Sequence, residues 1–238
     1  PRETGTRLLV AADAVAGTIG GGHLELQAIE AARQMLRNGG QASREQSLAL
    51  GPSLGQCCGG ALTLRYAMLD TRTPWPEAAP RFALQLYGAG HVGRAIVSLL
   101  AGMPCRVWWI DERESEFPSG AEPPHIERLC VEPVEAEVAH APPGAFYLVL
   151  THSHELDQRI AEAILRRGDF GWFGLIGSAT KRARFEHRFA QRGIGAETVA
   201  RMVCPIGVPG ITGKEPEVIA VAVVAQLLQA SSESLGMD

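Results

Sequence analysis

The chain has no apolar run approaching the roughly 18 residues that a membrane-spanning helix needs, so no membrane partner is expected. It carries no basic–apolar leader of the secretory kind. It does open on Pro1 rather than Met, which points to a true N-terminus lying upstream. Positive charge is in deficit. The 22 Lys and Arg residues against 26 Asp and Glu leave a formal net charge of −4, which argues against a broad nucleic-acid surface. Cysteine is scarce as well. The five are Cys57, Cys58, Cys105, Cys130 and Cys204, an odd number with two adjacent and no Cys-x-x-Cys spacing. That pattern excludes the disulfide framework of a small secreted domain and predicts free thiols in a reducing cytoplasm. What is present is ordinary for a globular protein. Hydrophobic residues make up 46% and charged residues 20% of 238 positions, enough to bury a core in one large or two modest domains.

One stretch organises the rest. Phe82–Tyr87 is a mainly apolar strand, and Gly88-Ala89-Gly90-His91-Val92-Gly93 follows it. A helical pattern comes next, then a second apolar strand, Arg106–Ile110, that ends on Asp111. This order of strand, glycine loop, helix, strand and acid is the layout of a dinucleotide-binding unit. Each glycine has its own expected duty. Gly88 permits the tight turn, Gly90 lets a pyrophosphate approach the backbone, and Gly93 lets helix and strand pack closely. The helix start, at His91 and Val92, offers free N–H groups and a positive dipole end to phosphates. Asp111 lies 18 residues after Gly93, where an acid takes a ribose hydroxyl. A glycine-tight βαβ turn also occurs for purely architectural reasons, so the layout predicts the fold and leaves the ligand open.

Residues 1–70 follow a different pattern. Thr6–Val10 and Val15–Thr18 predict short strands. From His23 the spacing turns helical, with Leu24, Ala28, Ala31, Ala32 and Met35 on one side and a stop at Asn38-Gly39-Gly40. Gln46–Leu50 and an alternating run with Leu62, Leu64, Tyr66 and Met68 on one face complete a small α+β domain. The stretch from Gly17 to Gly22, Gly-Thr-Ile-Gly-Gly-Gly, precedes the helix and suits an anion, although a tight turn is the plainer reading. Cys57-Cys58-Gly59-Gly60 is less ordinary. Cysteine is commonly buried as a small hydrophobe. The flanking glycines, however, leave room for a ligand, and a thiolate there suits a soft metal or a nucleophilic role. Both readings stay open. Residues 71–80 carry three prolines and no periodicity, which predicts a linker to a second domain at residues 81–238.

Beyond Asp111 the chain keeps alternating. Strands are expected at Ile126–Cys130, Ala145–Thr151 and Trp172–Gly177, and helices at Pro133–Ala141, Leu156–Arg167, Thr180–Arg192 and Glu217–Ala230. Val199–Val203 has no assignment. The alternation predicts a Rossmann-like, doubly wound parallel sheet: an α/β fold preceded by the small α+β domain. Ligands of such sheets gather beyond the carboxyl ends of the strands. That rule brings the glycine loop together with Thr151-His152-Ser153-His154, with Gly177 to Arg182, and with Cys204-Pro205-Ile206-Gly207. His152 and His154 with Asp157 are candidate metal ligands, but a helix start capped by Ser153 is the preferred reading. Lys181 and Arg182 are expected either to meet phosphate oxygens or to join Arg184, Arg188 and Arg192 in a solvated face. His91 either faces the ligand or has only a structural partner.

Taken in order, the motifs resemble the xanthine dehydrogenase accessory factor family of the XdhC/CoxI type. Pro1-Arg2-Glu3, the Gly17–Gly22 stretch and Leu54-Gly55-Gln56-Cys57-Cys58-Gly59-Gly60 resemble its first module. Tyr87–Gly93, Thr151–His154, Gly174–Ser178, Cys204–Gly207 and the closing Gly213–Ala220 resemble its second. The chain begins inside the first family motif, without the strand expected ahead of it. The resemblance implies a cytoplasmic chaperone rather than an oxidoreductase. Such a factor binds molybdenum cofactor (molybdopterin), protects it during sulfuration by a cysteine desulfurase, and delivers it to apo xanthine dehydrogenase. The Cys57-Cys58 pair corresponds to the family's cofactor-binding cysteine, and the glycine turns with Lys181 and Arg182 suit a pterin phosphate. An apolar first helix is compatible with a homodimer. Two alternatives remain. One is an NAD- or NADP-dependent oxidoreductase, for which Asp111 predicts NAD and only His152 and His154 offer acid–base chemistry. The other is a nucleotide-sensing module.

Overall fold

The computed structural model describes residues 4–39, 43–69 and 79–234. Cys57, Cys58 and Gly59 therefore lie outside the described residues, as does all but the end of the expected linker. The chain divides into two compact units, Pro1–Pro76 and Glu77–Asp238.

Among the described residues the first unit holds two antiparallel strand pairs and a helix. Strands β1 (Leu8–Val10) and β2 (Val15–Gly17) pair antiparallel, closed by a turn in which Ala11 N–H donates to Ala14 O at 2.8 Å. Helix α1 (Gly22–Arg37) follows. It buries Leu24 and Ala28 and half-buries Ala31, Ala32 and Met35, the stripe that its spacing predicts. Strands β3 (Ser43–Leu50) and β4 (Gly60–Ala67) pair antiparallel with Leu48 opposite Leu62 and Gln46 opposite Leu64. Alternation places Leu62, Leu64 and Tyr66 on one half-buried face.

Among its described residues the second unit holds six parallel strands. They are β5 (Ala83–Tyr87), β6 (Arg106–Asp111), β7 (Ile126–Cys130), β8 (Phe146–Val149), β9 (Trp172–Leu175) and β10 (Met202–Val203). Their order is β10-β9-β8-β5-β6-β7, so the direction of winding reverses between β5 and β8. Helices α2 (His91–Leu100) and α6 (Pro216–Ser234) cover one face, while α3 (His154–Arg167), α4 (Ala179–Gln191) and α5 (Ala196–Ala200) cover the other. Both faces of the central strands β8 and β9 are buried at every position, while the edge strand β7 leaves Glu127 and Cys130 exposed. Leu84, Leu86, Phe146 and Leu148 point to the α2/α6 side. Tyr87, Tyr147 and Val149 point to the other.

Two expectations shift in detail. The helix expected at Pro133–Ala141 is a 3-10 helix, Val134–His140. The unassigned Val199–Val203 splits between the end of α5 and the short β10. Between β6 and β7 the chain forms only a 3-10 turn, Glu114–Glu116, because Pro118, Pro123 and Pro124 follow and remove helix donors.

Helices α3 and α4 lie side by side at a constant offset. Arg184 donates to His154 Nδ1 at 3.0 Å, Arg188 pairs with Gln158, and Arg192 pairs with Glu162. The basic face of α4 is thus partly spent on its neighbour rather than left wholly to solvent.

Candidate nucleotide-binding crevice

The carboxyl ends of β5, β6 and β8 meet where the strand order reverses, the place at which open α/β sheets take ligands. The three loop glycines differ in what surrounds them. Gly88 has φ +122°, and a Cβ there would stand 2.4 Å from Leu150 O. Its carbonyl accepts from Trp109 Nε1 at 3.1 Å. A Cβ at Gly93 would stand 2.1 Å from Gly88 O, whereas Gly90 has no atom within 4 Å of the same position. Gly88 and Gly93 are therefore fixed by the protein's own backbone, and the space at Gly90 is open. The first intrahelical bond of α2 runs from Arg94 N–H to Gly90 O at 2.9 Å. The N–H groups of His91, Val92 and Gly93 come before it and carry the helix's positive end. The side chain of Val92 packs against the core, and His91 is exposed.

Asp111 is buried beneath this loop. Its Oδ2 accepts from Ala89 N–H at 2.7 Å and from Arg113 Nη2 at 3.0 Å. Its Oδ1 accepts from Arg113 N–H and Nε, each at 3.0 Å. Burial alone would raise this carboxyl. The bonds from the Arg113 side chain, Ala89 N–H and Arg113 N–H outweigh that effect and hold it below its ordinary value. The expected bond from Asp111 to a ribose hydroxyl does not match this geometry. A carboxylate has about four acceptor positions, and all four are taken.

The floor of the crevice, between Tyr87, Ile110, Val134, Thr151 and Leu156, leaves no room for a water. At its edge His152 Nε2 stands 3.8 Å from Glu112 Oε1. Thr151 turns toward α3, with its N–H and Oγ1 both donating to Asp157 Oδ1 at 2.9 and 2.7 Å. Asp157 Oδ2 accepts from Lys181 Nζ at 2.6 Å, and Lys181 also donates to Ile176 O at 2.7 Å. Lys181 is buried, so it ties the β9 loop to α3 instead of reaching a phosphate. A Cβ at Gly177 would stand 2.5 Å from its Cδ. Arg182 donates to Glu186 and to Cys204 O. Ser153 caps α3, accepting from Leu156 N–H at 3.4 Å, as the preferred reading had it. Among the described residues, no group of three or more His, Cys, Asp or Glu is placed to hold a metal.

The glycine stretch of the first unit already holds an anion of its own. Glu25 Oε2 accepts from Ile19 N–H at 2.8 Å and Gly21 N–H at 3.2 Å, and from the Thr18 hydroxyl. The Thr18 and Ile19 bonds hold this carboxyl below the usual range.

Residues 84–227 match the model of the XdhC Rossmann domain, and residues 1–46 match that of the XdhC and CoxI family. The chain belongs to the XdhC family. It is 30% identical over 247 residues to the uncharacterized protein YqeB of Escherichia coli K12. That match takes in 99% of this chain but 42% of YqeB, so the chain spans less than half the length of this relative. In fold it is similar to a Bacillus halodurans protein described as a xanthine dehydrogenase. The TM-score is 0.70 at 18% identity, over 98% of this chain and 88% of that one.

In this XdhC-family chain Gly88, Asp111 and Thr151 line one crevice with His152 at its edge, while Lys181 and Arg182 are bonded to Asp157, Glu186 and Cys204 O. Gly60 opens β4 and is exposed. Sequence reasoning missed Arg113, Glu116 and Glu25. The signal for Arg113 is its spacing of two from Asp111, which allows a guanidinium to fold back onto the carboxylate. The signal for Glu25 is an acid in the first turn of a helix that opens on the last of three glycines.

Proposed function

We propose that this XdhC-family chain is a maturation factor for xanthine dehydrogenase. It binds molybdenum cofactor, holds it during sulfuration by a cysteine desulfurase, and passes it to the apo enzyme, acting in the cytoplasm as a homodimer. The observation that carries this reading is the double family match, over residues 1–46 and 84–227. The description of the B. halodurans protein names the same enzyme, although that likeness is one of fold.

The described residues fit such a ligand in one respect. The N–H groups at the start of α2, beside the open space at Gly90, suit a phosphate. Cys57 and Cys58 supply the thiolates suited to molybdenum. The cofactor contributes the molybdenum held by dithiolene sulfur; the protein contributes binding and shielding. The same α2 N–H groups also suit a dinucleotide, so an NAD- or NADP-dependent oxidoreductase is the second reading. Among the acid–base candidates beside the crevice, His152 faces Glu112 and His154 is engaged by Arg184.

Replacing Cys57 and Cys58 by Ala, singly and together, tests the first reading. Copurifying molybdenum and pterin fluorescence are measured in a host that makes the cofactor. Loss in the double variant is the expected result. Full retention in a folded double variant removes the thiols from cofactor binding.

A further inference from the structure

Beside the glycine loop the Arg113 guanidinium is part-exposed, whereas the Asp111 carboxyl beneath it is buried. Asp111 holds the guanidinium through Nε and Nη2, which leaves Nη1 for another partner. That partner is Glu116, with Oε1 at 3.4 Å. From the other side Arg94, on the first turns of α2, brings Nη2 to 3.9 Å from Glu116 Oε2 and Nη1 to 3.5 Å from Glu116 O. Glu116 thus sits between two guanidinium groups, at lengths well beyond the about 2.7–2.9 Å of a close charge-assisted bond. The side chains of Arg94, Arg113 and Glu116 are all about one-third exposed, at 35%, 31% and 31%. The shorter, buried bonds, at 3.0 Å, go to Asp111 and the longer, open ones to Glu116.

We propose that Arg94 and Arg113 form a binding site for a phosphomonoester at the ribose end of the glycine loop, with Glu116 as its internal stand-in. The charges support this. Two guanidinium groups balance Asp111 and Glu116 in the free protein. When Glu116 swings out, the pair faces a phosphate dianion with planar, multidentate donors. Asp111 does not touch the ligand. It is a positioning residue that orients Arg113 and ties it, through Ala89 N–H, to the glycine loop. A plain ribose diol finds no acceptor on Asp111, so the preference expected from sequence reverses: a ribose carrying a 2′-phosphate is favoured over an unmodified one. The terminal phosphate of a pterin cofactor carries the same chemistry. The inference goes beyond the proposed function, since it concerns what the crevice binds whether or not the thiols hold molybdenum.

Calorimetric titration of the full chain with 2′-phospho-ADP-ribose and with ADP-ribose tests the proposal. The phosphorylated probe is expected to bind about tenfold more tightly, the scale of one charged hydrogen bond. Arg113→Ala should bring the ratio close to one without weakening ADP-ribose. Arg113→Lys should recover part of the ratio. Glu116→Gln should tighten the phosphorylated probe alone, by several-fold. A second arm measures copurifying pterin in wild type and Arg113→Ala. Discrimination that depends on Arg113 in the nucleotide arm assigns the site to a 2′-phosphate. Dependence on Arg113 in the pterin arm alone assigns it to the pterin phosphate. Arg113→Ala strips two bonds from the buried Asp111 and is expected to lower the melting temperature. Arg94→Ala, which removes no bond to Asp111, is therefore titrated beside it. If both variants stay folded at the titration temperature and neither arm responds in either, the proposal is overturned. Loss of molybdenum in the cysteine variants with the nucleotide ratio intact leaves this inference standing. Full molybdenum retention in those variants counts only against the thiols' role.

Discussion

Lys181 Nζ and Asp157 Oδ2 lie 2.6 Å apart, with their side chains 7% and 2% exposed. The pair joins the start of α4 to the first turn of α3, and Thr151 completes it from the end of β8. Removing one partner of a buried pair leaves the other charged and uncompensated. Lys181→Met is therefore expected to lower stability by about 3 kcal/mol. Arg182→Ala, one residue on and partly exposed, should cost less than about 1 kcal/mol. Urea unfolding of the two variants checks this. Similar losses would mean that Lys181 is not held as described.

The glycine loop yields a contrast between neighbours. Gly93→Ala pushes a methyl against Gly88 O and should cost about 1–3 kcal/mol, the range for overpacking. Gly90→Ala meets open space at φ −68°, so stability should change by no more than about 0.5 kcal/mol. The methyl would instead stand in the path of a phosphate. Thermal unfolding and titration with 2′-phospho-ADP-ribose separate the two effects. A destabilised Gly90→Ala would contradict the open geometry.

Asp111 sets a pH dependence. Its folded carboxyl titrates below the ordinary 3.8. Its stabilising contribution is therefore fully present above that unfolded value and is lost as pH falls through the lower folded one. Asp111→Asn is expected to cost about 1–3 kcal/mol at pH 7, the scale of hydrogen bonds to a charged group. The gap between wild type and variant should narrow as the pH is taken below 3.8. Urea midpoints at pH 7 and pH 3 measure it. A gap that does not change with pH would show that the carboxylate's charge is not what holds Arg113.

In the first unit, Glu25 accepts the N–H groups of Ile19 and Gly21. Glu25→Ala should leave those amides to water, with hydrogen exchange at both accelerated and the rest of α1 little changed. Unchanged exchange would show that the backbone turn holds itself.

How much of this was legible depends on range. The strands, the glycine loop and the core stripe of α1 follow from periodicity and from backbone needs that act over a few residues. Gly88 and Gly93 are of this kind, since any strand that turns so tightly into a helix leaves no room for a side chain. The cap on α3 was legible for the same reason, because Ser153 acts on its own helix. Lys181 was not. Its two sequence readings, phosphate contact and solvated face, both assumed that it points outward. Only the packing of α4 beside α3 brings Asp157, 24 residues away, within reach.

The fold of the second unit was determined by the sequence: alternating apolar strands and amphipathic helices leave a doubly wound sheet as the way to bury both faces. The position of Asp111 at the end of β6 was determined there too. The role of Asp111 was decided by tertiary structure. A carboxylate's acceptor positions are few, and which donors fill them depends on what the fold brings close. Here the Ala89 amide, the Arg113 amide and the Arg113 side chain fill all four, and the rest of the Arg113 guanidinium stays part-exposed beside the loop.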